Sequence, residues 1–286
     1  MVPILYEDKD IIVVHKPAGL ESQSSRSFAP DMVSEIRRYL HNSQNIHKLT
    51  TVESKGQPPY VGVIHRLDKP VSGIMVYAKN QKSAAALSAA LQAGKVDKNY
   101  MAVVCGKLVD KQGAYVDYLR QDKKNNTSTI VDKSVRDARK SVLRYREMEV
   151  IHSPADEEKN VSLVDIELLT GRHHQIRVQM AGHGTPLYGD GRYGRNISTM
   201  VDIKKEPDTG SGKTEGYSGR GALECGNRGA SGYSERHPAG SRPSLALCAY
   251  RLAFAHPDTG ERLQFEIRPS GGAFDWFCAL RGPERV

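Results

Sequence analysis

The sequence lacks long apolar segments and is poor in cysteine. No apolar run approaches the roughly 20 residues that a membrane-spanning helix needs, and the amino terminus has neither the basic start nor the apolar core of a secretory signal. The four cysteines form no C-x-x-C pair, so neither a zinc site nor a disulfide scaffold is indicated. We therefore expect a protein without membrane segments that works in the reducing cytoplasm.

Acidic residues are the scarcer charged class. The chain has 33 Asp and Glu against 41 Lys and Arg, which gives a formal net charge of +8 and a pI near 9.2. Such a surplus favours a polyanionic partner, because Lys and Arg contacts to phosphate release counterions. With 286 residues and 38% hydrophobic content, the chain can bury the core of one large domain or of two small ones.

Residues 65–73 read His-Arg-Leu-Asp-Lys-Pro-Val-Ser-Gly and place one carboxylate between two cations. Side chains alternate along an extended segment, so Arg66 and Asp68 are predicted to project to the same side. Neighbouring positive charge favours the ionised form of Asp68, which suits a nucleophile or an electrostatic stabiliser better than a general acid. The alternative is a structural ion pair, or an Asp that forms a turn before Lys69 and Pro70.

A second cluster of polar residues lies at 170–177, which read Thr-Gly-Arg-His-His-Gln-Ile-Arg. If a helix begins near Arg172, then Arg172, Gln175 and Gln179 share one face. The guanidinium of Arg172 offers a planar fork of donors that fits carboxylate and phosphate alike. The alternative is an ordinary amphipathic helix that buries Ile176, and it is compatible with this prediction because it uses the opposite face.

Together these segments resemble the RluA-type family of pseudouridine synthases. The resemblance runs from about residue 4 to residue 269 and is interrupted by one insertion. Five motifs in the same order are far more specific than any one of them. The motifs are Tyr6–Val14 with Lys16–Leu20, His65–Asp68 with Ser72 and Gly73, Lys98–Gly106, Thr170–Gly194 and Tyr250–Pro257.

The resemblance implies an enzyme that isomerises uridine to pseudouridine in structured RNA, either ribosomal or transfer RNA. Asp68 would be the catalytic carboxylate, Arg172 would pair with it and orient it, and Tyr100 would stack on the base. Arg66 would fill the gap that the extruded base leaves in the RNA stack. The reaction needs no redox step and no phosphoryl transfer, so neither a cofactor nor a metal is expected.

The same resemblance makes His65, Gln175 and Arg177, together with Arg66, candidate RNA-binding residues. Gln175 and Arg177 have an alternative role, which is to hold the helix of their own motif. Two other functions stay open for the whole chain: a non-catalytic RNA-binding protein that kept the fold, and an RNA-directed glycosidase that releases the base. The presence of Asp68, Arg172 and Tyr100 together argues against the non-catalytic protein. The product distinguishes the other two activities, because a glycosidase releases free uracil and a synthase forms pseudouridine.

Strand and helix patterns predict an α+β fold. Gln81–Ala93 is predicted to be a helix that ends at Gly94, and residues 164–168 alternate apolar and acidic side chains like a half-buried strand. Several strands for each helix indicate a mixed, largely antiparallel sheet, and the resemblance adds an active-site cleft across it. We expect a single catalytic domain over residues 1–286 that acts as a monomer.

Residues 196–242 depart from this pattern. They include nine glycines and six serines in 47 positions, so they cannot bury enough apolar surface to offset their ordering entropy. We expect a flexible surface loop there, where the family has a shorter connection. Many family members also carry a small basic domain of the S4 type before the catalytic domain. This chain starts at the catalytic domain, so target choice is expected to come from that domain, its loops or a partner.

Overall fold

The computed structural model describes residues 2–24, 30–47, 58–194, 201–202 and 243–281. The chain divides into two compact units. Unit one comprises Met1–Tyr100 and Leu247–Pro269, and unit two comprises Met101–Ala246 and Ser270–Val286. Apart from residues 201 and 202, the insertion at 196–242 lies outside the described residues, so its flexibility stays a prediction, as does the single-domain organisation.

Twelve strands and three α-helices occur in the described part of the chain. The strands are β1 (Ile4–Glu7), β2 (Ile11–Lys16), β3 (Gly62–Val63), β4 (Ser72–Ala78), β5 (Asp97–Cys105), β6 (Gln112–Asp122), β7 (Thr127–Val131), β8 (Arg139–Ser153), β9 (Asp156–Leu168), β10 (Val201–Asp202), β11 (Leu247–Ala255) and β12 (Arg262–Glu266). The helices are α1 (Met32–His47), α2 (Gln81–Gln92) and α3 (Gln175–Gly182), and two short 3-10 helices follow at Gly272–Trp276 and Cys278–Leu280.

Unit one is built around β2 and β4. The β-branched run Ile11–Val14 is completely buried in β2, which pairs antiparallel with β1 and β4, while β4 runs parallel to β11 and β11 pairs antiparallel with β12. Helix α2 begins after Asn80, whose side chain accepts a hydrogen bond from the Ser83 N–H at 2.8 Å. It ends before Gly94, which has a φ of +69°. The predicted helix at 81–93 is therefore confirmed.

Unit two contains an antiparallel sheet in which β8 pairs with both β6 and β9, and β6 pairs with β7. In β9 the apolar side chains of Val164–Leu168 are buried, and the acidic ones face outward to form ion pairs with Arg144 and Arg146 of β8. The predicted half-buried strand is confirmed. Helix α3 packs Val178 and Ala181 into a core with β6 and β7.

The predicted α+β class with a mixed, largely antiparallel sheet is confirmed. Parallel pairings occur between β4 and β11 and between β7 and β10. Of the described cysteines, Cys248 and Cys278 are free. Among the described helices, none combines the length and apolar character that crossing a membrane requires.

Candidate active site

Asp68 lies in the loop between β3 and β4, and Ser22 holds the backbone immediately before it. The Leu67 N–H donates to Ser22 Oγ at 3.0 Å, and Ser22 Oγ donates back to the Leu67 carbonyl at 2.7 Å. The carbonyl of Asp68 then accepts the Val71 N–H at 3.0 Å and closes a turn. The Asp predicted to be catalytic therefore also shapes a turn, as the alternative interpretation of this segment proposed.

Lys16 holds the same loop from the other side. Its ammonium group is fully buried and donates to the carbonyls of Pro17, Leu20 and Lys69 at 2.9, 2.6 and 3.2 Å. Burial lowers the pKa of Lys16 to about 8, and the negative charge of Asp68 opposes that shift. The Asp68 loop is thus fixed on both sides, with a buried cation within electrostatic reach of its carboxylate.

Tyr100 lies in β5 and is buried. Burial raises the pKa of its phenol, and the negative charge of Asp68 and the nearby sulfur of Cys248 raise it further. Unit one thus brings Asp68 and Tyr100 within electrostatic reach of each other and keeps the phenol protonated. It also brings Cys248 near Tyr100.

His65 and Arg66, the residues before Leu67 in the same loop, have different environments. The Val76 N–H of β4 donates to His65 Nε2 at 3.3 Å, and burial, helped by the positive charge of Lys98, lowers the pKa of His65 to about 4. A neutral imidazole that accepts a backbone hydrogen bond fastens the loop to the strand and offers no positive charge to phosphate. Arg66 is exposed, which leaves it available for its predicted RNA contact.

Helix α3 of unit two begins at Gln175 and not near Arg172. His174 precedes the helix with a φ of +53° in the left-handed region, so Arg172 lies before the helix and does not share a helical face with Gln175 and Gln179. That part of the sequence prediction is wrong. A non-glycine residue in this conformation is uncommon, and nothing in the sequence pattern predicts it for His174.

Gln175 is buried and ties together the segment that carries Arg172. Its Oε1 accepts from Thr170 Oγ1 at 2.8 Å and from the Arg172 N–H at 3.0 Å, and its Nε2 donates to the Val142 carbonyl at 3.1 Å. Arg172 itself is exposed and donates from Nε to the carbonyl of Lys140 at 3.1 Å. Gln175 therefore fits the helix-holding role better than an RNA contact.

Arg177 also has an internal partner. Its Nε and Nη2 donate to the two carboxylate oxygens of Asp190 at 2.7 and 2.8 Å, in a buried bidentate pair. Burial raises the pKa of Asp190, but the hydrogen bonds and the charge of Arg177 outweigh it and leave that pKa lowered. The guanidinium also lies 5.1 Å from the Tyr193 ring centre. Its donors are directed inward, so the structure favours a structural role for Arg177 over a phosphate contact.

The candidate residues are divided between the two units. Asp68, Tyr100, His65 and Arg66 belong to unit one, whereas Arg172, Gln175 and Arg177 belong to unit two. The predicted pairing of Arg172 with Asp68 stays a prediction. Sequence reasoning assigned no role to Lys16 or Ser22, and the only signal for Lys16 was its place in the first motif of the family.

One group among the described residues has the composition of a metal site. Asp8, Asp10 and His256 each offer a ligand atom, all within 4.8 Å of one another. However, His256 Nδ1 accepts the N–H groups of Asp258 and Thr259 at 3.3 and 3.1 Å. The neutral ring therefore carries its proton on Nε2, which faces Asp8 Oδ2 at 2.8 Å. The imidazole serves as a link between two turns, and this arrangement leaves it no lone pair for a metal.

The sequence profile of the family described as RNA pseudouridylate synthase matches residues 10–182. The chain belongs to this family. Two pseudouridine synthase relatives are 30% identical: ribosomal large subunit pseudouridine synthase C of Rickettsia bellii over 193 residues, and ribosomal large subunit pseudouridine synthase D of Neisseria meningitidis serogroup A over 278 residues. These matches cover 68% and 97% of this chain but only 57% and 61% of the relatives.

Two solved structures of human proteins share the pseudouridine synthase fold with this chain. Human RNA Pseudouridylate Synthase Domain Containing 1 matches with a TM-score of 0.60 at 19% identity, covering 94% of this chain and 84% of that one. Human RNA Pseudouridylate Synthase Domain Containing 4 matches with a TM-score of 0.58 at 20% identity, covering 93% and 87%. At these identities the likeness establishes the fold, and it agrees with the predicted class.

Proposed function

We propose that this protein isomerises uridine to pseudouridine in structured RNA, with Asp68 as the catalytic carboxylate. Besides family membership, the observation that carries the proposal is the Asp68 loop. Ser22 and Lys16 fix its backbone on either side, and a protonated, buried Tyr100 lies within electrostatic reach of the carboxylate. A carboxylate held in this way beside an aromatic ring is suited to act on an extruded base.

The reaction rearranges bonds within one nucleotide. The bond between C1′ and the uracil nitrogen breaks, the base turns, and C1′ bonds to a ring carbon. That carbon loses its proton and the released nitrogen takes one up, so no electrons are transferred to another molecule. Asp68 would act near C1′ and the ring, and Tyr100 would stack on the base. Arg172 would pair with Asp68, and Arg66 would occupy the gap in the RNA stack. No cofactor is needed for this chemistry.

Ribosomal RNA is the first substrate to test, and transfer RNA the second. The names of the two bacterial relatives point to the large ribosomal subunit. The net charge of +8 suits a polyanion, and a uridine in a loop is cheaper to extrude than one in a duplex. We therefore propose an accessible loop uridine as the target.

Pseudouridine mapping of total RNA, with and without the gene, tests the activity. Asp68→Asn is nearly isosteric, so the variant should keep its fold and RNA affinity while turnover falls by about 10³-fold or more. Wild-type turnover in this variant would remove Asp68 from its role. Free uracil as the product would establish a glycosidase instead. RNA binding without a modified product would leave a binding protein that kept the fold.

A further inference from the structure

The turn between β6 and β7, residues 122–126, is held rigidly by its own side chains. Asp122 Oδ1 accepts the N–H groups of Lys124 and Asn125 at 2.9 and 3.2 Å, and Asn125 Nδ2 donates to Asp122 Oδ2 at 2.6 Å. Asn126 completes the turn with a φ of +52°. The ammonium groups of Lys123 and Lys124 take no part in these bonds and are exposed.

Two residues of the Thr170–Gly194 motif, His173 and Arg192, hold this turn in place. Arg192 Nη1 donates to the carbonyls of Asn125 and Asn126 at 3.0 and 2.9 Å. His173 makes two contacts through its ring: Nε2 lies 3.1 Å from Asn126 Oδ1, and Nδ1 lies 2.9 Å from Ser128 Oγ. Because His173 directly follows Arg172 in the chain, the turn is linked to the proposed catalytic arginine by one residue.

The positive charge of this region is retained. The hydrogen-bond partners of Arg172 and Arg192 are neutral carbonyls, and within the described residues neither guanidinium forms an ion pair with a carboxylate. Asp122 is the acidic residue of the turn and sets one negative charge against the two lysines. Four exposed cations, Lys123, Lys124, Arg172 and Arg192, lie on three stretches of chain that the hydrogen bonds of His173 and Arg192 join.

A turn whose lysines are merely solvated would need only the hydrogen bonds within the turn. The additional hydrogen bonds from His173 and Arg192 would be unnecessary. These hydrogen bonds fix the backbone of Lys123 and Lys124 relative to the segment of Arg172, which favours a ligand that contacts the lysines and the arginine together. RNA is such a ligand, because its phosphates repeat along the strand and are bound by fixed cations.

We propose that Lys123, Lys124 and Arg192, here called the basic turn, bind the phosphate backbone of the RNA substrate, and that His173 is the positioning residue that couples the basic turn to Arg172. This inference rests on the proposed function, because it takes RNA as the substrate. It adds a binding surface and a positioning residue that the family profile does not specify.

The first test is the double variant Lys123→Gln/Lys124→Gln, with Lys107→Gln/Lys111→Gln as a control of equal charge change at exposed positions of the same unit. Binding is measured with a labelled stem-loop RNA that has uridines in its loop, over a range of salt concentrations. The logarithm of the RNA association constant falls with the logarithm of salt concentration, and in the turn variant this fall should be less steep, with the magnitude of the slope reduced by about 1 to 2. KM should rise severalfold with kcat unchanged. The control should do neither.

His173→Ala supplies the second test, since the coupling predicts non-additive effects. In this background the two lysine substitutions should change KM much less than in the wild type, while the melting temperature of unit two stays close to that of His173→Ala alone. Equal KM effects in both backgrounds would overturn the role of His173. A salt slope in the turn variant equal to that of the wild type, or competition by polyglutamate as strong as by RNA, would overturn the basic turn.

Failure of this inference can be told apart from failure of the proposed function. If the wild type forms pseudouridine and the turn variant keeps the wild-type salt slope and KM, only the inference fails. If the wild type forms no pseudouridine in any cellular RNA, the proposed activity fails, and the binding measurements still decide whether the basic turn contacts RNA. If the wild type neither forms pseudouridine in cellular RNA nor binds the stem-loop RNA, both are overturned.

Discussion

The two loops that carry the proposed catalytic charges are built in opposite ways. In the Asp68 loop of unit one, two buried groups, the Lys16 ammonium and the Ser22 hydroxyl, hydrogen-bond to the backbone on either side of Asp68. The Arg172 segment of unit two is held by a buried amide, Gln175, but leaves its guanidinium exposed on a backbone carbonyl. The backbone that carries the Asp68 carboxylate is therefore fixed before substrate arrives, whereas the Arg172 guanidinium donates to a neutral carbonyl, a bond that costs little to exchange.

The largest effect on stability is expected where unit two buries an ion pair. Arg177→Met leaves the Asp190 carboxylate buried without its partner, which should cost about 3–5 kcal/mol of unfolding free energy. Denaturant titration measures this. Arg177→Met/Asp190→Asn should recover part of the loss, because Asn keeps an acceptor for the backbone N–H groups and removes the unpaired charge. A double variant no more stable than the single one would show that charge is not the cause.

Arg172→Ala should separate activity from stability in the same motif. The side chain is exposed and its partner is one carbonyl, so unfolding free energy should stay within about 0.5 kcal/mol of the wild type. Turnover should fall by about 10²-fold or more, if the guanidinium orients Asp68. Single-turnover kinetics with saturating enzyme distinguish this from weak binding. A loss confined to RNA affinity would make Arg172 a phosphate contact.

Ser22→Ala tests whether the buried hydrogen bonds to the Asp68 loop are needed for catalysis. It removes the acceptor of the Leu67 N–H and the donor to the Leu67 carbonyl, both of which are buried. Leaving these groups unsatisfied should cost about 1–3 kcal/mol, and the loosened Asp68 should lower kcat more than it raises KM. Ser22→Thr keeps the hydroxyl and serves as the matched variant. A kcat unchanged in Ser22→Ala would show that the loop needs no support from this side chain.

The smallest effect at neutral pH is expected for His65→Gln. The folded-state pKa of His65 is depressed to about 4, so between pH 6.5 and pH 4 the unfolded chain takes up a proton that the folded chain does not. Stability from this group is complete above pH 6.5 and is lost as pH falls toward 4. Gln keeps an acceptor for the Val76 N–H but does not titrate. Melting curves at pH 7 should nearly coincide, and the wild type should lose about 2 kcal/mol more than the variant by pH 4.5.

The sequence predicted the elements of the fold better than the environment of its polar residues. The helix at 81–93 and the strand at 164–168 followed from periodicity and end signals, which are local. The start of α3 did not, because it depends on the left-handed His174, whose Nδ1 lies 2.6 Å from the hydroxyl of Tyr193. Such a contact depends on residues distant in sequence.

The same limit applies to charge. The family resemblance made Arg177 and Gln175 candidate RNA contacts, with a helix-holding role as the alternative, and only the fold shows that Asp190 and Val142 are their partners. Lys16 is the strongest case, since a lysine at the end of a β-branched strand gives no indication of complete burial. The three carbonyls that accept hydrogen bonds from Lys16 come from two separate loops, so no short stretch of sequence contains all of its partners.

The burial of Lys16 also makes it a chemical reporter. In the folded chain no acylating reagent reaches this fully buried nitrogen, so the amine can react only when the loop opens and exposes it. Labelling of this one lysine, followed by mass spectrometry, would therefore record how often the Asp68 loop opens. Its exposed neighbour in the same loop, Lys69, would report the rate of the reagent itself. Comparing the two in the presence and absence of RNA would show directly whether substrate closes the loop.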